Sequence, residues 1–219
     1  MPERSARAVL FDLDGTLADT APDLLEALNR LRRERGLADL PLETGRRYAS
    51  SGARGLLHVG FDLLPEDADY EPMREAFLDN YDARVCADTR LFPGMDELLA
   101  AIEQRGLAWG IVTNKSSRFT PRIVAALGLD GRAGCVVCGD TTGHIKPHPA
   151  PLLHAAGQLA IDPSLCWYVG DDLRDVQAAH AAGMRSVAVE YGYLGTGSAP
   201  REWNAEAVIA QPSDLIALL

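Results

Sequence analysis

Short apolar runs alternate with amphipathic helical patterns through the second half of the chain, and this alternation restricts the fold more than any other feature. Each run is closed by glycine or polar residues, as is typical of strands buried on both faces of a sheet. The runs are Leu107–Val112, Cys135–Cys138, Leu165–Val169, Ser186–Val189 and Ala207–Ile209, with Ala8–Phe11 near the start of the chain. Strands joined by single helices imply a parallel sheet with right-handed crossovers.

Helical patterns fill the intervals between these runs. In the stretch "MDELLAAIEQRG", Leu98, Leu99 and Ile102 form one apolar stripe, and Gly106 is a helix stop signal. The patterns cover Met95–Arg105, Arg118–Leu127, Ala150–Leu159 and Asp175–Ala182. We therefore predict an α/β fold with a doubly wound, mostly parallel, Rossmann-like sheet.

A long segment after the first apolar run breaks the alternation. Residues 17–88 read as helix nearly throughout, and Asp19 or Thr20 could cap the first of these helices, with Pro22 in its first turn. Pro93 and Gly94 mark the return to the alternating pattern. We predict an α/β core of residues 1–16 and 89–219 and a helical insertion of residues 17–88.

Composition limits the possible partners and compartment. The 219 residues carry 21 basic and 31 acidic side chains, a net charge of -10, which disfavours general binding to nucleic acid or to an anionic membrane. No apolar run approaches the ~20 residues that span a bilayer, and residues 1–5 precede no secretory h-region. Four cysteines in a chain of this length do not suggest a disulfide framework. We expect a soluble cytoplasmic protein, and the sequence leaves open whether it is a monomer or a dimer.

Polar side chains follow several of the predicted strands. Asp12 and Asp14 come after the first run, Thr113 and Asn114 after the second, and Asp171, Asp172 and Asp175 after the fourth, while Lys146 lies in the proline-rich loop before that fourth run. In an open parallel sheet, ligands bind beyond the carboxyl ends of the strands, so these residues are expected to converge. Clustered carboxylates suit Mg²⁺. The hydroxyl, the lysine and nearby backbone N–H groups suit a phosphate.

Four stretches resemble, in order, the four motifs of the haloacid dehalogenase-like hydrolases: "FDLDGTLADT", "IVTNK", "IKPHPAP" and "VGDDLRD". The helical insertion resembles the cap domain of that superfamily. Within the superfamily the chain is most similar to the phosphoglycolate phosphatase group. The stretches "FPGMDELLAAIEQRGLAWGIVTNKSSRF" and "YGYL" are especially similar to the bacterial N-acetylmuramic acid 6-phosphate phosphatases.

The resemblance implies a catalytic role for five residues. Asp12 matches the nucleophile that becomes an aspartyl-phosphate. Asp14 matches the acid that protonates the leaving oxygen and then activates water. Thr113 and the Asn114 backbone N–H match the phosphate-binding groups, and Lys146 matches the cation that neutralises the nucleophile and the transferring phosphoryl oxygens.

The resemblance also implies an Mg²⁺ site. Asp12, the Asp14 backbone carbonyl and Asp171 match its direct ligands, and Asp175 matches the acid that holds the metal's water shell. Asp172 stands where the group often has serine. Its side chain is interpreted either as an acid supporting the metal ligands or as a helix N-cap.

Asp14 bears on the reaction class. A phosphate ester needs a proton on its leaving oxygen, whereas carbon–halogen cleavage does not, so an acid at this position disfavours a dehalogenase. We expect an Mg²⁺-dependent phosphatase acting on a small phosphorylated metabolite. A phosphomutase would keep the same acid and remains an alternative, and a non-catalytic binding protein is a third.

Substrate specificity is expected to depend on residues of the helical insertion. The stretch "SSGARGLL" places Arg54 beside a glycine-flanked turn that opens a helix, an arrangement suited to a carboxylate. Both 2-phosphoglycolate and N-acetylmuramate 6-phosphate carry one. We hypothesise that Arg54 reaches into the closed site, although the sequence leaves the choice between the two substrates open.

Overall fold

The computed structural model describes residues 6–195 and 197–219, so the interpretation of residues 1–5 lies outside the described part. The strands are β1 Ala8–Phe11, β2 Ala18–Asp19, β3 Arg90–Leu91, β4 Ala108–Val112, β5 Val136–Val137, β6 Cys166–Gly170, β7 Arg185–Val189 and β8 Ala207–Ile209. The α-helices are α1 Ala21–Glu34, α2 Leu42–Ala49, α3 Gly52–Phe61, α4 Tyr70–Asp82, α5 Met95–Gln104, α6 Thr120–Ala126, α7 Ala150–Leu159 and α8 Leu173–Ala181. Short 3₁₀ turns cover Pro163–Leu165, Pro200–Glu202 and Pro212–Leu218.

Six strands form one sheet in the order β5-β4-β1-β6-β7-β8, and every neighbouring pair is parallel. The chain builds outward from β1 through β4 to β5 and then crosses to β6 on the other side of β1. The strand order therefore reverses beside β1, which opens a crevice at its carboxyl end. The predicted parallel sheet is confirmed.

Both faces of the sheet are covered by helices. All four β1 side chains are fully buried, as expected for the central strand of a covered sheet. Val9 and Phe11 belong to a core cluster that includes side chains of α5 and α6. Ala8 and Leu10 belong to a separate cluster with side chains of α7 and α8. Because successive strand residues face opposite sides, this division confirms the doubly wound arrangement.

Helices α1 to α4 follow one another between β2 and β3. They share a buried cluster with the core of the protein, and glycines let the helices approach closely. A Cβ on Gly60 would lie 2.8 Å from Leu28 Cδ1, and one on Gly45 would lie 2.7 Å from Leu25 Cδ1. No helix among residues 6–195 and 197–219 combines the length and apolarity needed to cross a membrane.

The structure differs from the sequence prediction at the start of this helical segment. Ala18–Asp19, expected to lie in helical sequence, pairs antiparallel with Arg90–Leu91 as a two-residue ribbon. The pairing joins residues about seventy positions apart, so no local pattern could have indicated it. The ribbon brings the two ends of the helical segment together beside β1.

A buried carboxylate also connects the two ends of the helical segment. Asp23, in the first turn of α1, is fully buried and accepts hydrogen bonds from the backbone N–H groups of Asp88 and Thr89 at 2.9 to 3.1 Å. The Thr89 hydroxyl donates a further bond of 2.7 Å, and Arg84 Nη2 lies 3.4 Å from Asp23 Oδ1.

Asp23→Ala is expected to lower the free energy of unfolding by about 3 kcal/mol, because it leaves buried N–H donors and a hydroxyl without their charged acceptor. Urea denaturation followed by circular dichroism measures the change. Asp39→Asn serves as the control, since Asp39 forms only an exposed pair with Arg33, worth about 0.5 kcal/mol. Equal effects of the two substitutions would contradict this account.

Candidate active site

The carboxyl ends of three adjacent strands bring the sequence-predicted polar residues together. Asp12 follows β1, Thr113 follows β4 and Asp171 follows β6. A cavity of about 270 Å³ lies at this edge. Its lining includes Asp12, Asp14, Thr113, Asn114, Lys146, Asp172 and Asp175. Asp171 is buried directly behind this lining, so the structure gathers every predicted core residue at one place.

Three carboxylates form a compact cluster. One oxygen from each of Asp12, Asp171 and Asp175 lies within 4.8 Å of the other two. Burial raises the pKa of Asp171 well above the ordinary aspartate value, and the charge of Asp12 raises it further. Burial likewise raises the pKa of Asp175 to about 7, although Lys146 opposes the shift. A set of oxygen ligands that repel one another fits a hard divalent cation.

Gly15 makes room for this cluster. The residue has φ of +81°, and a Cβ here would lie 2.2 Å from Asp171 Oδ2. Both the turn and the close approach therefore require glycine immediately after Asp14. Asp171 is held in this gap by the Thr16 hydroxyl at 3.1 Å and by the Tyr193 backbone N–H at 2.9 Å.

Lys146 bridges two of the carboxylates. Its Nζ lies 2.9 Å from Asp12 Oδ1 and 2.8 Å from Asp175 Oδ1, and it donates to the Tyr168 hydroxyl at 2.7 Å. Burial lowers the pKa of Lys146, but Asp12 and Asp175 outweigh that effect and hold the pKa above its ordinary value. The ammonium therefore remains charged next to Asp12 although its side chain is only 2% exposed.

Asn114 holds the lysine loop against the end of β4. Its side-chain Nδ2 donates to the Lys146 carbonyl at 3.0 Å, and its Oδ1 accepts from the Lys146 N–H at 2.9 Å. Sequence reasoning assigned only the Asn114 backbone to phosphate binding and missed this side-chain role. These two hydrogen bonds from one side chain fix the backbone from which Lys146 reaches Asp12.

Asp14 lies apart from the carboxylate cluster. Its Oδ1 accepts from Lys115 Nζ at 2.8 Å and from the Thr20 hydroxyl. Sequence reasoning assigned no role to Lys115, although it lies in the "IVTNK" motif. Of the two predicted N-cap candidates, Asp19 and Thr20, the structure places Thr20 at the N-cap position of α1. The Thr20 hydroxyl bonds Asp14 and makes no capping bond to the helix.

Of the two roles that the sequence leaves open for Asp172, the structure supports the helix N-cap. It is the N-cap of α8, accepting from the Arg174 N–H at 2.9 Å, and its two oxygens also bind the Arg174 guanidinium at 2.8 Å each. Arg174 Nη2 in turn donates to the Ser50 carbonyl at 2.8 Å, and the Ser50 hydroxyl lies 3.2 Å from Asp171 Oδ2. This chain of contacts connects the α2–α3 junction to the carboxylate cluster.

Arg54 lies outside the 270 Å³ cavity. It is exposed in the first turn of α3 and lines a neighbouring cavity of about 490 Å³, together with aromatic side chains of α4. The two cavities share Leu24, Gly52, Asn114 and Lys115 as lining residues. Within the described part of the chain, Arg54 makes no ion pair with the acids of the helical segment.

Comparison with known sequences extends along the whole chain. The profile of the haloacid dehalogenase-like hydrolases matches residues 9–189. The chain is 42% identical over 219 residues to the N-acetylmuramic acid 6-phosphate phosphatase of Pseudomonas aeruginosa, covering 100% of this chain and 97% of that protein. It is 43% identical over 212 residues to the phosphoglycolate phosphatase of Xanthomonas campestris pv. campestris, covering 97% of this chain and 96% of the relative.

Solved structures share the fold over similar lengths. The crystal structure of a "predicted phosphoglycolate phosphatase" from Haemophilus somnus matches with a TM-score of 0.85 at 26% identity, covering 97% of each chain. The crystal structure of a "Putative Phosphatase" from Clostridium difficile matches with a TM-score of 0.86 over 99% of this chain and 100% of that one, and at 19% identity this likeness concerns the fold alone. With its parallel sheet, its strand-end carboxylates and this match over most of its length, the chain belongs to the haloacid dehalogenase-like hydrolases.

Proposed function

We propose that the chain is an Mg²⁺-dependent phosphatase that hydrolyses a small phosphate monoester through an aspartyl-phosphate on Asp12. The observation that carries this proposal is the pairing of a partly exposed Asp12 with the buried Lys146 ammonium, beside a second acid, Asp14, that is held separately. Relatives more than 40% identical over nearly the full chain are named as phosphatases, which supports the same reaction class.

In the first step, an Asp12 carboxylate oxygen attacks phosphorus while the bond from phosphorus to the leaving oxygen breaks. Asp14 donates a proton to that oxygen, which leaves as an alcohol. The Lys146 ammonium, the Thr113 hydroxyl and the Asn114 backbone N–H stabilise the charge that develops on the phosphoryl oxygens.

In the second step, water attacks the phosphorus of the aspartyl-phosphate, and Asp14 accepts a proton from the water. The bond from phosphorus to Asp12 breaks, which restores the Asp12 carboxylate and releases inorganic phosphate. Asp14 thus ends the cycle in the protonated state in which it began, as a general acid that alternates with a general base must.

The three clustered carboxylates support the metal assignment. Asp12, Asp171 and the Asp14 backbone carbonyl would hold Mg²⁺ directly, and Asp175 would hold its water shell. When bound, the ion supplies positive charge that offsets repulsion between Asp12 and the phosphate. This role is consistent with the Asp14 side chain lying outside the cluster, because the carboxyl group is then free to transfer protons.

Mg²⁺ affinity is expected to rise between about pH 6 and about pH 8. A proton on Asp175, whose pKa burial raises to about 7, competes with the metal at the lower pH and is lost as the pH increases. Isothermal titration with Mg²⁺ in buffers of different ionisation enthalpy measures both the affinity and the protons released. An affinity that is flat or falls with pH would contradict this assignment.

Residues 17–88 are proposed to act as a cap that admits the substrate and then excludes water. The contact of Arg174 with Ser50 would be one of the bonds made on closure, because it joins the α2–α3 junction to the start of α8. The cavity between these parts is lined from both sides, by Ser50 and Gly52 of the helical segment and by the core carboxylates.

The substrate is proposed to be a small phosphorylated metabolite that carries a carboxylate, with 2-phosphoglycolate and N-acetylmuramate 6-phosphate as the candidates. Arg54 would bind the carboxylate from the neighbouring cavity, which shares four lining residues with the catalytic one. A panel of phosphorylated metabolites with phosphate detection tests the proposal. Steady release of phosphate supports a phosphatase, whereas conversion to an isomeric phosphate ester would identify a phosphomutase.

Arg54→Ala is expected to raise KM about tenfold or more for carboxylate substrates and to leave KM for p-nitrophenyl phosphate nearly unchanged, since only the former would lose a charged hydrogen bond. Steady-state kinetics on both substrates measures the difference. The control is Arg47→Ala, which removes another arginine of the helical segment that does not line either cavity. Equal effects of Arg54→Ala on both substrates would rule out this role.

A further inference from the structure

The two oxygens of the Asp14 carboxylate have different surroundings. Oδ1 accepts from Lys115 Nζ at 2.8 Å and from the Thr20 hydroxyl. Among residues 6–195 and 197–219, no donor bonds Oδ2. The side chain is 16% exposed and lines the catalytic cavity. One oxygen is therefore held by the protein, and the other is left for a ligand.

Lys115 is fixed at both its backbone and its ammonium group. Its backbone N–H donates to the Thr113 hydroxyl at 3.1 Å, and its carbonyl accepts from the Gly139 N–H at 2.8 Å. Its Nζ lies 4.8 Å from the centre of the Tyr81 ring, and Tyr81 is itself packed edge-on against Phe119. The side chain is 9% exposed, so Lys115 meets Asp14 in a defined geometry.

Thr20 is free to bond Asp14 because another residue supplies the helix cap. The Tyr193 hydroxyl accepts from the Thr20 N–H at 2.6 Å and from the Ala21 N–H at 2.8 Å, and it donates toward Asp19 Oδ1 at 3.1 Å. An N-cap threonine ordinarily accepts from the N–H of the second or third helical residue, and here the second is Pro22, which has no N–H. Here the tyrosine satisfies the start of α1, and the threonine hydroxyl points to the acid.

We propose that Lys115 and Thr20 are positioning residues that anchor Asp14 through Oδ1, so that Oδ2 is the oxygen that gives and takes the proton. This inference rests on the proposed role of Asp14 as general acid and base. Lys115 lines both the cavity that contains Asp14 and the neighbouring cavity that contains Arg54. Its effect on the reaction is exerted through Asp14 and not through the phosphoryl group.

Comparing substrates with different leaving groups distinguishes a residue that positions the general acid from a residue that stabilises the fold or binds the phosphoryl group. A sugar or glycolate alkoxide needs a proton as it departs, whereas p-nitrophenolate leaves as a stable anion. Misplacing the general acid therefore slows the first ester and spares the second. A residue that merely stabilises the fold, or that binds the shared phosphoryl group, affects both esters alike. The ratio kcat/KM is the correct quantity, because it reports only the steps through the first displacement.

Lys115→Met keeps the chain length and the packing on Tyr81 but removes the donor. We expect kcat/KM to fall about 30-fold on an alkyl phosphate and less than about threefold on p-nitrophenyl phosphate, within the range of general acid catalysis. Thr20→Val is expected to show the same selective loss on the alkyl phosphate, but a smaller one. Thr20→Ser keeps the hydroxyl and is expected to keep kcat/KM near the parent value on both esters. Arg122→Met is the control, because it removes an exposed cation that pairs with Asp82 away from the cavity.

Asp14→Asn distinguishes failure of this inference from failure of the proposed function. If Asp14→Asn lowers kcat/KM equally on both esters, Asp14 is not the general acid and the proposed mechanism fails. If Asp14→Asn is selective for the alkyl phosphate but Lys115→Met lowers both esters equally or neither, only the positioning role fails. Selectivity in both variants supports both.

Discussion

Asp12→Asn is expected to lower kcat by roughly 10⁴-fold or more, since removing a covalent nucleophile generally has an effect of this size. An amide oxygen is a poor nucleophile toward phosphorus. The substitution also removes the negative charge that holds Lys146 Nζ at 2.9 Å and one of the oxygens of the carboxylate cluster. The fold should remain intact, because the asparagine has the same shape and the side chain is partly exposed.

Phosphate release at saturating substrate and Mg²⁺ measures this loss. The matched control is Asp140→Asn, which replaces another acid near a strand end. The Asp140 carboxylate accepts from the backbone N–H and hydroxyl of Ser117 and does not line the catalytic cavity. The control variant should keep the parent activity, and substantial activity in Asp12→Asn would overturn the nucleophile assignment.

Lys146→Met is expected to reduce both activity and stability. The ammonium is the cation that neutralises Asp12 and Asp175, so its removal leaves two carboxylates facing one another. Breaking a buried ion pair by removing one partner costs about 3–5 kcal/mol of unfolding free energy. A fall in kcat of about 10³-fold is expected, since in the proposed mechanism the transferring phosphoryl oxygens also lose a charged partner.

Metal binding separates these two effects. Mg²⁺ would offset part of the repulsion among the carboxylates, so the stability deficit of Lys146→Met should be larger in EDTA than in excess Mg²⁺, whereas activity should stay low in both. Urea unfolding with and without Mg²⁺ tests this. Tyr168→Phe is the milder companion, because it removes only the hydroxyl that accepts from Lys146 and donates to the Val112 carbonyl. A fully active Lys146→Met enzyme would contradict the assignment.

The sheet could be predicted from sequence because its signal is local. Each strand of the six-stranded sheet lies within one residue of the apolar run that predicted it, and β1 and β8 match their runs at both ends. Parallel strands buried on both faces need continuous apolar sequence, and polar residues at their carboxyl ends necessarily meet at one edge. For this reason the sequence alone predicts that Asp12, Thr113 and Asp171 converge.

The supporting contacts could not be predicted, because each depends on residues far apart in the chain. The ion pair of Lys115 with Asp14 spans 101 positions, and the Tyr193 hydroxyl that caps α1 lies 173 positions from Thr20. The local sequence around a lysine that follows a strand does not indicate whether its ammonium pairs with a buried acid or lies in solvent. Arg54 shows the same limit, since the glycine-flanked turn is local in the sequence but the cavity that the arginine lines is formed with residues distant in the chain.

The most direct test of the account is to trap the phosphoryl group on Asp12. Asp14→Asn retains the backbone carbonyl proposed for the metal and lacks the group that activates water, and p-nitrophenyl phosphate needs no acid to release its leaving group. Rapid mixing, acid quenching and mass spectrometry should reveal a burst of p-nitrophenol of about one equivalent per enzyme, with a phosphoryl group on the peptide that contains Asp12. Linear release without a phosphorylated enzyme, or a phosphoryl group on another residue, would contradict the covalent mechanism.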